Sequence, residues 1–449
     1  MLLASQLCHF PREIRERRAP FSRTGPTPYI SRMAAPSLGP QLKAGPRRIL
    51  HVDVDAMFVQ CAVLADPERL GGVDLILVGG SPSGRGVVTS ASYGCRAYGV
   101  RSAMPTATAL RLCPDATVVK VPGEMVRTKS RALASSIADW SPVAAMASVD
   151  EAYIDLTGTE GLHRNEPLVE TARRIQRDLK ERTGLDVSIG GAANRLVAKM
   201  ATSFAKPAGV YVVAPGEEEA FVASLQPEDL IGVGPALLAS LRRRGIVDMT
   251  SLRALDVETM AAWWGPDRAR WLWRRCRGID EGPIRGREGA KSISSETTFP
   301  RDVSDLGELE RLLLGRVVSV AGSLRRQGYY ARTITVKLRY ADFRDRSRSR
   351  TLVDSVQSDR VIFSVARELL GDLRRHNERP VRLIGVSLTG LSDSPEPEQQ
   401  SLIALVPPRE NARDRALSAA VDRIRDKHGR VIAPGSVLAD QRRSREGDG

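Results

Sequence analysis

Between residue 47 and about residue 215, short apolar runs alternate with stretches whose apolar residues recur every three to four positions. These are the two periods that separate strands from helices. The run 49–58 (ILHVDVDAMF) is apolar and β-branched but interrupted by acids. It predicts a buried central strand with Asp53 and Asp55 on one face at i, i+2. A second strand over 74–78 closes on Gly79-Gly80 and a Ser/Pro/Gly turn through Gly86. Helices are expected over 89–98, stopped by Gly99, and over 106–113, stopped by Pro114. A strand over 117–121, a helix over 126–138, a strand over 146–156 and an amphipathic helix over 168–182 come next. A strand over 186–190, a helix over 193–205 and a strand over 210–213 complete an α/β or α+β domain. The texture then changes. Residues 227–255 read as two short helices joined by Gly232-Val233-Gly234, and Trp263, Trp264, Trp271 and Trp273 complete a compact helical piece. A Gly/Arg-rich link over 282–291 leads to a final unit over 292–391, where helices over 306–327 and 358–376 alternate with strands over 332–340 and 381–388. A polar tail from Pro395 carries one amphipathic stretch, 413–428.

At 449 residues the chain has room for two to four domains. Lys plus Arg minus Asp plus Glu is 67 − 53 = +14, which points to a polyanionic partner. No apolar run reaches the roughly 18 residues of a membrane span, so nucleic acid is the expected polyanion. Aromatics are 5% of the chain, too few for a binder that works mainly by stacking on bases. Cys8, Cys61, Cys95, Cys113 and Cys276 are scattered without C-x-x-C spacing, which excludes a disulfide framework and a zinc site and suits a reducing cytosol. Residues 1–46 hold seven Lys/Arg against Glu13 and Glu16 and lack the apolar core of a secretory signal. They are expected to be a disordered extension; a targeting arm, a DNA-contacting tail and an internal start at Met33 all stay open.

The chemistry lies in acids placed inside apolar strands, where a carboxylate is costly unless something compensates its desolvation. Asp53 is one. Asp150 and Glu151, in SVDEAYID, are two more, and adjacent strand residues reach one site only where the strand begins or bulges. Three converging carboxylates suit Mg²⁺, which binds one or two carboxylates together with substrate phosphates, and a pair of such ions activates a hydroxyl and neutralises a leaving group. Tyr93 and Arg96 at i, i+3, with Ser90 upstream, offer hydroxyls and a guanidinium fork to a polyphosphate. Lys199 lies between apolar positions, and Lys206 ends its helix before Pro207, a position where a lysine is ordinary.

Taken together, HVDVDAMF, GRGVVTSASYGCRAYGVRSAMP, SVDEAYID and ANRLVAKMATSFAKPAG, in this order, closely resemble the Y-family DNA polymerases of the DNA polymerase IV type, over residues 47 to about 391. The resemblance implies an α+β multidomain right-hand polymerase: a palm over 47–56 and 123–215, fingers over 57–122, a thumb with a helix-hairpin-helix over 216–285, a linker over 286–291, a little finger over 292–393 and a tail over 394–449. It implies that Asp53, Asp150 and Glu151 are the catalytic carboxylates, binding two Mg²⁺ with the Val54 carbonyl, and that Phe58 is the steric gate that excludes ribonucleotides. It assigns Tyr93, Arg96, Lys206 and, more loosely, Ser90 to the dNTP triphosphate. Gly232 and Gly234 of the hairpin, and Arg332, Lys337 and Arg339 of a segment with nine Lys/Arg against Asp342 and Asp345 over 325–350, are expected to contact the DNA backbone. Gln399, Leu402 and Ile403, in QQSLI, resemble a sliding-clamp-binding peptide. The family usually has an acid at Gly94, a Tyr near Val126 and a Glu near Ala145.

The expected activity is template-directed, low-fidelity translesion DNA synthesis without proofreading. The enzyme is expected to be a cytoplasmic monomer acting on primer-template DNA and dNTPs, with the clamp as partner. A catalytically silent DNA- and clamp-binding scaffold is the rival, and it would be marked by loss of the three carboxylates. A palm-fold nucleotide cyclase would need no DNA-binding modules. Residues 413–449 receive no role.

Overall fold

The computed structural model describes residues 45–286, 289–375, 377–394 and 410–428. They fall into two compact bodies, one of residues 45–80 and 87–286, the other of 81–86 with 289–428. In the first, β1 (Ile49–Val54) leads into α1 (Met57–Ala65) and the single-turn α2 (Pro67–Leu70). Then come β2 (Ile76–Gly79), β3 (Val88–Ala91), α3 (Tyr93–Ala97), α4 (Thr106–Leu112) and β4 (Thr117–Val119). After these the chain runs through α5 (Gly123–Ala138), β5 (Ala144–Met146), β6 (Glu151–Asp155), α6 (Leu168–Thr183), β7 (Val187–Ala192), α7 (Arg195–Ala205) and β8 (Val210–Val212). It ends in α8 (Glu218–Ala223), α9 (Pro235–Arg242), α10 (Met249–Arg253), α11 (Val257–Trp264) and α12 (Pro266–Arg275).

Strands β5-β6-β1-β7-β8 form one sheet and β3-β2-β4 a second. Strand β1 is central and is covered on both faces. Leu50, Val52 and Val54 pack with α5 and α6, while Ile49 joins a separate core with α7 and the terminal helices.

Four expected elements are corrected. The strand over 49–58 stops at Val54, because Ala56 takes a left-handed φ of 42° and turns the chain into α1. The helix over 89–98 is two elements: Val88 and Ser90 pair across to Gly79 and Val78, and Ser92 caps α3 by accepting from the Cys95 N–H at 3.3 Å. The strand over 146–156 is broken by a turn at 147–150, where the Ser148 hydroxyl accepts from the N–H groups of Asp150 and Glu151. The stretch before Gly232 holds one 3₁₀ turn, Pro227–Asp229, rather than an α-helix.

The second body holds β9 (Ser292–Val303), α13 (Leu306–Arg326), β10 (Tyr330–Tyr340), β11 (Asp345–Val356), α14 (Asp359–Arg374), β12 (Val381–Ser392) and α15 (Ala412–His428). Its antiparallel sheet runs β11-β10-β12-β9, with α13 and α14 packed over one face. Strands β9 and β11 were not expected from the sequence. Helix α15 attaches through charge: Arg325 of α13 binds Asp422 at 2.6 and 3.0 Å and Asp359 at 2.8 Å, and Arg360 grips Asp414 at 2.7 and 2.6 Å. Among the described residues no helix is long and apolar enough to cross a membrane, and the four cysteines there are free and buried.

Candidate active site

Alternation along β1 turns His51 and Asp53 to the face that α7 covers. Opposite Asp53 stand Glu151 on β6 and Ser188 on β7, so these side chains share that face. Helix α7 supplies cations to the two carboxylates. Lys199 Nζ donates to Glu151 Oε2 at 2.6 Å, and Lys206, one residue past the helix, donates to Asp53 Oδ1 at 2.5 Å. The start of β6 at Glu151 resolves the problem of two adjacent acids. Asp150 lies just before the strand, its carboxylate accepting from the Ser148 hydroxyl and its carbonyl from the Val54 N–H at 3.0 Å. The Asp53 carboxyl is raised to about 6: burial pushes it up, Lys206 draws it down, and the charges of Glu151 and Asp150 push it up further.

Among the described residues no three acid, His or Cys side chains are gathered at metal-binding distance, since each carboxylate here is turned to its own donor. The donor chemistry nonetheless fits a hard divalent cation. Three carboxylates stand on neighbouring backbone positions, Asp53 opposite Glu151 and beside Asp150, and the charge of Asp53 is disfavoured by burial and by the other two.

Asp55, just beyond β1, is buried. Its Oδ1 accepts from the Tyr93 hydroxyl at 2.6 Å, and its Oδ2 accepts from Ser188 Oγ and the Ala208 N–H, both at 2.8 Å. Tyr93 opens α3, and the Arg96 guanidinium lies 4.8 Å from the centre of its ring, so the i, i+3 pair does share a face. Arg96 Nε donates to the Ala91 carbonyl at 3.0 Å. Burial, reinforced by the bond to Asp55, drives the Tyr93 phenol far above its ordinary value. Ser90 is not on this helix; it is a buried residue of β3. Phe58 sits in the first turn of α1, half-buried against the cores on both sides of that helix. The structure thus joins Asp53, Val54, Asp150, Glu151, Tyr93, Arg96 and Lys206 through contacts that run by way of Asp55 and Lys199. Neither linking residue was given a part by sequence reasoning; for Asp55 the signal was its i, i+2 spacing from Asp53.

The chain matches the impB/mucB/samB family over residues 52–203 and that family's C-terminal domain over 290–402. It is 39% identical over 358 residues to the DNA polymerase IV of Halorhodospira halophila, covering 80% of this chain and 98% of that protein. It is 36% identical over 359 residues to the DNA polymerase IV of Gluconobacter oxydans, covering 80% and 99%. The chain belongs to the Y family of DNA polymerases. Its fold is similar to that of a Y-family DNA polymerase chimera, with a TM-score of 0.68 at 23% identity over 77% of this chain and 99% of that one. It is also similar to DinB from Sulfolobus solfataricus, with a TM-score of 0.52 at 25% identity over 76% and 98%. The family suggests dependence on a divalent metal.

Two further surfaces of this polymerase follow from the fold. In the first body, Gly232 takes a φ of 94°, and a Cβ there would lie 2.5 Å from Trp271 Cζ2; Gly234 then caps α9. The hairpin loop is therefore seated on the indole. In the second body, the sheet face away from α13 and α14 is lined by hydroxyls: Thr333 bonds Thr351 and Thr335 bonds Ser349, both at 2.9 Å, and Ser387 and Thr389 stand beside them on β12. At one end of that face Arg339 is clamped to Asp345 at 2.6 and 2.8 Å, and Lys337 contacts Glu296 at 3.2 Å; Arg332 donates to the Leu352 carbonyl at 3.4 Å. The expected basic contacts are thus engaged within the domain, and the hydroxyl face is what sequence reasoning missed. Gln399, Leu402 and Ile403, residues 1–44 and part of the 286–291 linker lie outside the described residues.

Proposed function

We infer that this chain is a DNA-directed DNA polymerase of the translesion type. Asp53, Asp150 and Glu151 are proposed as its catalytic carboxylates, holding two Mg²⁺ together with the Val54 carbonyl. The observation that carries this reading is the pairing of Asp53 directly opposite Glu151, beside Asp150, with Lys199 of α7 and Lys206 just past it on the two carboxylates. When bound, such ions lower the pKa of the primer 3′-hydroxyl and neutralise charge on the departing pyrophosphate.

The protein's own part is positioning and charge. Lys206 and Arg96 are proposed to hold the triphosphate, and Lys206 leaves Asp53 to do so. The Phe58 ring is proposed to lie under the sugar, where a 2′-hydroxyl would clash with it. Ser90, buried in β3, is proposed only as support for the α3 segment. The hairpin at Gly232 and Gly234, with Arg332, Lys337 and Arg339, is proposed to follow the DNA backbone, so that template sequence is read by base pairing. The sliding clamp, through Gln399, Leu402 and Ile403, a monomeric working unit and a cytoplasmic location are proposed with it. A silent scaffold is not favoured, since all three carboxylates are present.

The test is extension of a labelled primer on an undamaged template and on one bearing a bulky minor-groove guanine adduct, comparing wild type with Phe58→Ala. Extension on both templates, with ribonucleotide insertion appearing only in Phe58→Ala, is the expected result. Arrest at the adduct would remove the translesion assignment, and unchanged ribonucleotide exclusion would remove the role of Phe58.

A further inference from the structure

Asp55 has no part in the roles above, yet it is more enclosed than Asp53, Asp150 or Glu151. A carboxylate withdrawn from water is costly unless its oxygens find donors, and those Asp55 finds are neutral: the Tyr93 hydroxyl, the Ser188 hydroxyl and the Ala208 N–H. Two of the three lead directly to a cation. The Tyr93 ring, fixed by its bond to Asp55, lies under the Arg96 guanidinium at 4.8 Å. The Ala208 N–H is two residues beyond Lys206, and Ala208 holds a φ of 50°, a left-handed conformation that a non-glycine residue keeps where its surroundings impose it. The third donor, Ser188 on β7, leads to neither cation.

A phenol has one proton. Here that proton is given to Asp55, which fixes the Tyr93 ring under the Arg96 guanidinium.

We propose that Asp55 is a positioning residue for the nucleotide triphosphate, setting Arg96 through the Tyr93 ring and Lys206 through the Ala208 N–H without itself touching the nucleotide. This deepens, and rests on, the reading of Arg96 and Lys206 as triphosphate ligands. An asparagine at this position keeps one acceptor: with its Oδ1 on the Ala208 N–H, its NH₂ can only donate to the Tyr93 oxygen, so the charge-assisted bond that fixes the Tyr93 hydroxyl is lost.

The experiment is single-nucleotide incorporation by the full chain on a primer-template with saturating Mg²⁺, separating the KM for dNTP from kcat. The variants are Asp55→Asn, Tyr93→Phe, Ser188→Ala, Arg96→Ala and Lys206→Ala, with melting curves and primer-template Kd measured for each. Asp55→Asn is expected to raise the dNTP KM about tenfold, the size of one charge-assisted hydrogen bond. Tyr93→Phe is expected to raise it several-fold, the double variant by less than the product of the two, and Ser188→Ala by less than about twofold, with primer-template Kd unchanged throughout. If Arg96→Ala and Lys206→Ala leave the KM unchanged, the triphosphate reading fails and this inference falls with it. If those two raise the KM while Asp55→Asn and Tyr93→Phe do not, the role of Asp55 alone is overturned. Equal losses in Ser188→Ala, or a parallel loss of DNA affinity, would reduce Asp55 to a structural anchor. Should Asp55→Asn not fold, the contrast between Tyr93→Phe and Ser188→Ala decides.

Discussion

At Gly190 a single methyl group decides whether α7 can lie where it does. The residue sits opposite His51 on the face of β7 under that helix, and a Cβ there would come within 2.1 Å of the Ala198 carbonyl oxygen and 2.4 Å of the Thr202 nitrogen. Helix α7 carries Lys199 and leads to Lys206, so this close approach is what puts both lysines on the carboxylates. Gly190→Ala is expected to cost roughly 3 kcal/mol or more, read as a lower urea midpoint. His163 gives a second test at this scale. It is buried and stacks on Trp140 with ring centres 5.8 Å apart; burial, with Arg174 and Arg48 nearby, holds its imidazolium below the ordinary range. The unfolded chain therefore takes up the proton first, and the stability that His163 contributes is lost as pH falls below about 6.5. The urea midpoint should drop between about pH 7.5 and about pH 5.5, and His163→Phe should lose less over that interval. Asp53, Asp150 and Glu151 were legible as residues because acids inside apolar strands stand out. The use of Asp55 was not, because it depends on Tyr93, Ser188 and Ala208 converging from three distant segments.

Elements were legible where apolar period and burial agree, as in β1, α6 and α7, and misread where they do not. The pattern of β11, DRSRSRTLVDSV, is charged or polar over its first seven residues, because that part of an edge strand is exposed on both faces. It forms because β10 beside it is strongly apolar on one face. Residues 89–98 read as a helix because Ser and Ala tolerate one, yet Val88 and Ser90 find ladder partners on β2 that a helix would leave unpaired. Helix α15 was visible as an amphipathic stretch, but its docking was not, since it uses ions rather than an apolar stripe. Arg325 is 8% exposed and bridges Asp359 and Asp422, and burial raises the Asp359 carboxyl. Arg325→Ala strands two enclosed carboxylates and is expected to destabilise the second body by about 3 kcal/mol. A melting curve that follows the second body alone checks this, and removal of 410–428 should lower the same transition.

Across the whole molecule, the net charge of +14 and the second body's face of serine and threonine hydroxyls favour binding that follows the backbone and ignores base identity. Primer-template affinity should fall steeply as salt rises, with little dependence on sequence, while the dNTP KM changes far less; fluorescence anisotropy over a salt series measures the slope. The central claim is that the three carboxylates at the β1–β6 strand end make this chain a polymerase. The most direct test is single-turnover nucleotide addition by wild type and Asp150→Ala, with primer-template Kd measured in parallel. The account predicts unchanged DNA affinity and addition slowed a hundredfold or more in the variant. Addition at the wild-type rate by Asp150→Ala, or a wild type that binds the primer-template yet extends it with no divalent ion, would contradict it.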